Sequence, residues 1–199
     1  APDAKAQRCL PALFPQAVAQ PVLPVGLPRD EDTDRFLHEL GQAYLLAPRN
    51  RGAGPGGSRG EHWTWMPGHA EAWGSCAQVV LRLQLGRAAR EAHRPWLSAR
   101  ILAGDREEPK KVGPLALDNF HRRAASKAVS RVFRSRVAAA LGVTEYSVGD
   151  ARGAERMHKA ALLDLDSRPG CCKLSLDVSN AHNEFSRESA ARAVHELVP

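Results

Sequence analysis

The segment between residues 173 and 187 constrains the fold more than any other part of the chain. Leu174, Leu176 and Val178 alternate with polar residues, and this period of two predicts a half-buried strand. The carboxylate of Asp177 falls near the end of that strand, on its polar face. A strand that carries a carboxylate to an open face is suited to holding a hard metal ion. The alternative is a surface Asp in an ordinary strand–turn–helix.

Size and composition set broad limits on the class of protein. A chain of 199 residues buries about 70% of its unfolded surface, which is enough for a real core. No run approaches the roughly 20 apolar residues of a membrane span, so we expect no membrane partner. The first residues lack an initiator Met and the apolar core of a signal peptide, so we expect a piece of a longer protein.

Four cysteines form no C-x-x-C pair, which favours reduced thiols in an intracellular protein. His62, His69 and Cys76 have a spacing that fits none of the usual zinc modules. The sequence therefore predicts neither a disulfide framework nor a zinc site.

Positive charge is concentrated in one stretch. The net charge is +6, and the window 119–141 contains six basic residues and no acidic one: Arg122, Arg123, Lys127, Arg131, Arg134 and Arg136. Four of them follow intervals of four, four and three residues, which places them on one helix face: Arg123, Lys127, Arg131 and Arg134. Like charges at this spacing repel by a few tenths of a kcal/mol, and a polyanion would relieve that repulsion. We predict nucleic-acid contact here, with a solvated helix surface or an acidic protein partner as the alternatives.

The remaining pattern predicts an α+β chain that is mostly helical. The first 30 residues are rich in Pro, which predicts an extended N-terminal arm. Apolar spacing and caps predict helices over 30–46, over 70–93 with an interruption at Gly86, from Asp118 or Asn119 through the basic window, and from Arg187 to about Leu197 after the cap Ser186. Residues 104–113 read as a hairpin tip before a short strand at 114–117, and 96–102 fits either a strand or a helix.

A Gly-rich loop covers residues 49–60. It lacks the G-x-x-x-x-G-K-[ST] spacing and a preceding strand, which excludes a phosphate-binding P-loop. Taken alone, the loop fits a flexible connector about as well as it fits a functional turn.

Several blocks, taken together, resemble the reverse transcriptases of non-LTR retrotransposons. The residues 176–187, LDVSNAHNEFSR, are similar to the first catalytic motif of that family. Upstream, the blocks 53–61, 110–117 with 122–127, and 145–155 match family segments in the same order and at similar spacing. The resemblance implies the fingers and partial palm of a polymerase. It divides the chain into an arm and helix over 1–48 and a reverse-transcriptase-like region over 49–199, which stops before the Asp–Asp hairpin.

The resemblance also implies roles for individual residues. Asp177 would be the first catalytic carboxylate and a metal ligand, aided by the backbone carbonyl of Val178. The nucleotide would be bound by Lys110, Lys111, Arg122 and His182, and the nucleic acid by Arg123, Lys127, Arg131 and Arg134. Two positions depart from the family pattern: Gly113 replaces an Arg that precedes the Pro, and His182 replaces an aromatic residue beneath the incoming sugar.

The function implied by the resemblance is RNA-directed DNA polymerisation, with an RNA template, a DNA primer and deoxynucleoside triphosphates as partners, in the nucleus or cytoplasm. Such enzymes use two Mg²⁺ ions about 3.5–4 Å apart, held by several carboxylates. The sequence contains no Asp–Asp pair, so we expect at most weak Mg²⁺ binding and no polymerisation by this chain alone. The alternative is a non-catalytic, basic helical module that binds RNA or DNA.

Overall fold

A computed structural model describes residues 30–105, 112–142, 145–148, 151–176 and 186–197 of the chain. These residues are mostly helical and include one two-stranded sheet, so the predicted α+β class with a helical majority is confirmed. They belong to two compact units, with a boundary after Val132. The predicted arm over the first 30 residues lies almost entirely outside the described residues.

Helix α1 spans Asp30–Leu45, as its apolar spacing predicts. Three acidic residues occupy its first turn, where they interact favourably with the helix dipole. Its apolar stripe is buried at Phe36, Leu40 and Tyr44. The Gly-rich loop follows, and two short 3₁₀ turns, Gly60–Trp63 and Met66–Gly68, lead into the next helix.

Two helices occupy the region for which one interrupted helix was predicted. Helix α2 spans Ala70–Gln84 and helix α3 spans Arg90–Leu97. Between them Gly86 has φ +67, a left-handed conformation that disfavours side chains with a Cβ. The predicted interruption at Gly86 is therefore confirmed.

A β-hairpin forms the sheet. Strand β1 spans Ala99–Asp105 and pairs antiparallel with β2, which spans Val112–Asp118. The register runs from Ala99 opposite Asp118 to Asp105 opposite Val112, so the predicted hairpin is confirmed. Its tip, which carries Lys110 and Lys111, lies outside the described residues.

Helix α4 spans Phe120–Leu141 and contains the whole basic window. Asn119 caps it, because its side-chain oxygen accepts the backbone N–H of His121 at 3.0 Å. Its buried face begins with one large residue and continues with smaller apolar ones: Phe120, Ala124, Ala125, Ala128 and Val132. The Phe120 ring meets Tyr44 of α1 edge-to-face, with centroids 4.9 Å apart. This contact joins α1 and α4 in the core of the first unit.

The second unit contains helix α5, Gly153–Ser167, and helix α6, Arg187–Leu197. The backbone N–H of Ser189 donates to the Ser186 hydroxyl at 3.2 Å, which confirms the predicted cap of α6. Among the described residues of this unit only Gly153 is buried.

The predicted strand over 173–178 is wrong in the part that the structure describes. Residues 171–176 have no regular secondary structure. Leu174 and Leu176, expected on a buried face, are 77% and 81% exposed. A strand is stable only when its backbone groups pair with a neighbour, and in the described residues both strands of the sheet lie in the hairpin of the first unit. The alternation of apolar and polar residues in the sequence does not show whether a neighbouring strand is present.

Candidate nucleic-acid interface

A positively charged cavity of about 270 Å³ lies in the first unit, against the N-terminal half of α4. Three cationic side chains line it: Arg51 from the Gly-rich loop and Arg123 and Lys127 from α4. The rest of its wall is uncharged and consists of Ala43, Pro48, Gly60, Phe120 and Ala124. The described residues that line the cavity include no acidic side chain, so the charges in its wall are all positive.

Glycine is required where the loop approaches α4. A Cβ at Gly54 would lie 2.6 Å from the carbonyl oxygen of Asp118, and one at Gly60 would lie 2.8 Å from the Phe120 ring. Both distances are far shorter than van der Waals contact. The loop therefore packs closely against the start of α4 only because these side chains are missing. This packing places Arg51 beside the two cations of α4.

Arg123 and Lys127 are one helical turn apart, on the face that the sequence predicts. The guanidinium of Arg123 donates to the Gly52 carbonyl at 3.4 Å, a long hydrogen bond that links α4 to the loop. Lys127 is exposed. Both side chains therefore present charge to the cavity, while the adjoining buried face, which includes Phe120 and Ala124, fixes their helix in the core.

Two other predicted cations are paired with acids of the same unit. The Arg131 guanidinium lies 2.9 Å from the Glu39 carboxylate of α1, and that of Arg122 lies 3.1 Å from Asp118. Arg122 also donates to the Leu97 carbonyl at 3.3 Å. The window 119–141 contains no acid, but Glu39 comes from 92 residues away in sequence. A charge count along the chain does not detect such a partner.

The remaining predicted site residues are not brought together with this cavity. Arg134 is exposed and lies beyond Val132, in the second unit. Five others lie outside the described residues: Lys110, Lys111, Asp177, Val178 and His182. In the part of the chain that the structure describes, no group of three or more His, Cys, Asp or Glu side chains is placed to hold a metal ion.

Arg51 belongs to the cavity but was not among the predicted site residues. Its signal in the sequence was weak, because a basic residue beside a Gly-rich loop is also typical of a connector. The stretch from Arg49 to Gly60 is nevertheless basic, with three arginines and no acid. That local charge could have identified the loop as a second part of the interface.

A separate polar cluster is formed by Tyr44, His121 and Cys76. The Tyr44 hydroxyl is hydrogen-bonded to His121 Nδ1 at 2.5 Å and lies 3.5 Å from the Cys76 sulfur. Burial, with the neighbouring Cys76 thiol, raises the pKa of Tyr44. Burial also lowers the pKa of His121, which keeps its ring neutral at pH 7. His121 and Cys76 border an apolar cavity of about 440 Å³ between α2 and α3.

Comparison with models of protein families, with curated proteins and with solved structures finds no match for this chain. No helix within the described ranges combines the length and hydropathy needed to cross a membrane.

Proposed function

We propose that this chain is the fingers region and the start of the palm of an RNA-directed DNA polymerase of the non-LTR retrotransposon type. Within it, the cavity lined by Arg51, Arg123 and Lys127 contacts the phosphate backbone of the nucleic acid. The sequence blocks that resemble the family support the first part of the proposal. The second part is supported by one observation: three cations share a cavity that has no acidic side chain in its described wall.

The chemistry of the cavity suits a phosphate. Arg and Lys donate charge-assisted hydrogen bonds to phosphate oxygens, and these are shorter and stronger than neutral ones. Arg131 and Arg122 already have carboxylate partners, so they contribute less charge to a ligand. The proposed interface therefore consists of the N-terminal half of α4 and the Gly-rich loop, and does not extend over all four cations that the sequence places on one face of α4.

The metal-dependent step is proposed on the sequence alone. By resemblance, Asp177 and the carbonyl of Val178 would be the first ligands of Mg²⁺. Carboxylates of the described residues form no cluster that could complete such a centre, and the sequence has no Asp–Asp pair. We therefore derive no catalytic step, and we expect no nucleotide incorporation by the 199 residues alone.

A salt titration of single-stranded RNA binding tests the phosphate contact. Each phosphate contact on a single strand contributes a slope of about −0.7 to log K against log salt. Arg51→Ala, Arg123→Ala and Lys127→Ala should each weaken binding to all sequences alike and reduce that slope by about 0.7. Arg131→Ala should have a smaller effect, because Glu39 already neutralises this charge. Arg82→Ala, an exposed change on α2 outside the cavity, is the matched control.

A non-catalytic module that binds RNA or DNA is the second candidate function. It is favoured by the position of the cavity, because its described lining residues all belong to the first unit and include neither Asp177 nor the hairpin tip. A chimera that joins residues 1–199 to the downstream palm and thumb of a non-LTR reverse transcriptase separates the two. Template-directed incorporation that is lost with Asp177→Ala supports the polymerase. A folded chimera that binds RNA but incorporates nothing supports the module.

The salt titration also tests the alternative that these cations bind an acidic protein, because that alternative requires no binding to nucleic acid. If the chain binds no nucleic acid at low salt, the contact with phosphate is wrong in both candidate functions.

A further inference from the structure

We propose that the cavity of Arg51, Arg123 and Lys127 accepts the terminal phosphate of a single-stranded nucleic acid, in preference to phosphates inside the strand. This inference rests on the proposed function, since it names the part of the nucleic acid that the same cavity binds. It follows from the shape of the cavity, its charge and the origin of its three cations.

The cavity is closed on its inner side. Its floor is formed by side chains from α1 and α4, and Ala43, Phe120 and Ala124 are each buried. The glycine at position 60 closes the floor tightly, because even a Cβ there would meet Phe120 and Ala47. A strand that passes through a site must leave it on both sides, whereas a strand end needs one opening. A strand end can therefore enter the cavity from its outer side and stop against this floor.

The volume fits a phosphate with part of its sugar. A water molecule takes up about 30 Å³ in the liquid, so a cavity of about 270 Å³ has room for roughly nine. That space exceeds the needs of an ion and is too small for several stacked nucleotides. The uncharged floor of Ala43 and Ala124 suits the carbon atoms of a ribose rather than a second phosphate.

The number of cations in the cavity also favours a terminal phosphate over an internal one. A terminal phosphate carries about −1.5 to −2 at neutral pH, whereas a phosphate inside a strand carries −1. Together with the next phosphate, a strand end presents about three negative charges close to one another. Three cations line the cavity, and the nearby carboxylates already have partners. Glu39 is paired with Arg131 and Asp118 with Arg122, while Glu61, next to Gly60, accepts the Asn50 backbone N–H at 2.7 Å and lies 3.6 Å from Arg59. A concentrated anion matches this arrangement better than charge spread along a backbone.

The three cations come from two elements, so a ligand that contacts all of them must reach both elements at once. Arg51 is on the loop, and Arg123 and Lys127 are on successive turns of α4. An anion held by all three must lie between the loop and the helix. Loss of either side should then remove the preference for a terminal phosphate, even if the other side still attracts nucleic acid.

Fluorescence anisotropy with three 12-nucleotide RNAs of one sequence tests the inference on the full chain: one with a 5′-phosphate, one with a 3′-phosphate and one with hydroxyl groups at both ends. We expect one of the two phosphorylated strands to bind about tenfold more tightly than the unphosphorylated strand. Arg51→Ala and Lys127→Ala should each abolish this ratio, whereas Arg82→Ala should preserve it. Circular dichroism and thermal melting confirm that each variant is folded.

The possible results separate the inference from the proposed function. Equal affinities for all three RNAs, with a normal salt dependence, overturn the terminal-phosphate site and leave backbone binding intact. No binding to any RNA overturns both. A mononucleotide competitor identifies the source of the phosphate. Displacement only at much higher concentrations than the unlabelled strand supports a strand end, whereas displacement at equal concentrations assigns the cavity to free nucleotides and overturns the strand-end site.

Discussion

Gly54 and Gly56 stand two residues apart in one loop, but a methyl group would meet different surroundings at each. At Gly54 a Cβ would lie 2.6 Å from the backbone oxygen of Asp118, while at Gly56 nothing lies within 4 Å. Backbone cannot move aside as a side chain can. Gly54→Ala should therefore destabilise the fold by about 1–3 kcal/mol, as overpacking does. Gly56→Ala should change stability by less than about 0.5 kcal/mol.

Urea unfolding of the two variants measures this difference. Gly54→Ala should also weaken RNA binding more than its loss of stability explains, because displacing the loop moves Arg51 away from α4. Equal stabilities for the two variants would contradict the close packing of the loop on Asp118.

His121 gives the fold a pH dependence with a definite sign. Burial lowers its pKa in the folded chain, so the unfolded chain binds a proton more readily. The stabilisation is complete above the unfolded pKa of about 6.5 and is lost as the pH falls through that value toward the lower folded one. His121→Gln removes the titration and keeps a hydrogen-bond acceptor for Tyr44. Wild type should lose more stability than this variant between pH 7.5 and 5.5.

Urea midpoints at the two pH values check the prediction. The carboxyl groups with shifted pKa values do not interfere in that range. The backbone N–H of Asn50 lowers the pKa of Glu61, and Ser147 lowers that of Glu145, so both titrate at lower pH. If wild type and His121→Gln responded to pH identically, the ring would not be buried beside Tyr44.

Site residues could be predicted from the sequence where a single helix carries them. They could not be predicted where the site forms at the contact between two elements. Arg123 and Lys127 share a helix face, and their spacing in the sequence predicts this directly. Arg51 joins them only through the contact of the loop with α4, which no local pattern encodes. The pairing of Arg131 with Glu39 has the same origin, because the sequence shows charges and not their distant partners.

At the scale of elements, replacing either of two glycines in the α2 region with Ala should change the stability of the protein in opposite directions. Gly74 lies inside α2, is exposed and has nothing near its missing side chain. Ala there should stabilise the protein by about 0.5–1 kcal/mol, because Gly loses more backbone freedom in a helix. Gly86 has φ +67 beyond the end of α2, so Ala should destabilise by about 1–2 kcal/mol.

Thermal unfolding of Gly74→Ala and Gly86→Ala tests the two signs together. Stabilisation in both variants would mean that α2 continues through Gly86, and destabilisation in both would contradict the open surroundings of Gly74. The pair also tests the prediction, made from sequence and confirmed in the fold, that this glycine ends the helix.

The sequence predicted α1, α2, α4 and α6 well but made no prediction of α5, and the strand that it predicted over 173–178 was wrong in its described part. The backbone hydrogen bonds of α1, α2 and α4 close within each helix, so apolar spacing, caps and glycines determine their bounds. The hairpin was also predictable, since its two strands are neighbours in sequence. A strand over 173–178 needed a distant partner. Its alternating pattern contains no information on whether that partner exists.

At the scale of the whole molecule, the two units differ in how their helices are held. In the first, Leu40, Tyr44, Ala125 and Ala128 are completely buried. In the second, Gly153 is the one buried residue among those described, and apolar side chains of α5 such as Leu163 are 68% exposed. Ion pairs within the helices, Glu155 with Lys159 and Glu188 with Arg192, are exposed and contribute little.

Amide hydrogen exchange should therefore be slower in the first unit than in the second. Amides open locally with a free energy that follows the apolar burial of their element, and isolated helices of 11 to 15 residues are marginal in water. We expect peptides from α1 and from the N-terminal half of α4 to exchange at least a hundredfold more slowly than peptides from α5 and α6, a difference of about 3 kcal/mol. Mass spectrometry of the full chain after timed labelling measures this directly. Protection of α6 equal to that of α1 would contradict the unequal burial, because in its described positions α6 has no buried residue to hold it closed. RNA binding should raise protection in α1 and the first turns of α4 and leave α5 and α6 unchanged, since the cations that contact phosphate lie in the first unit.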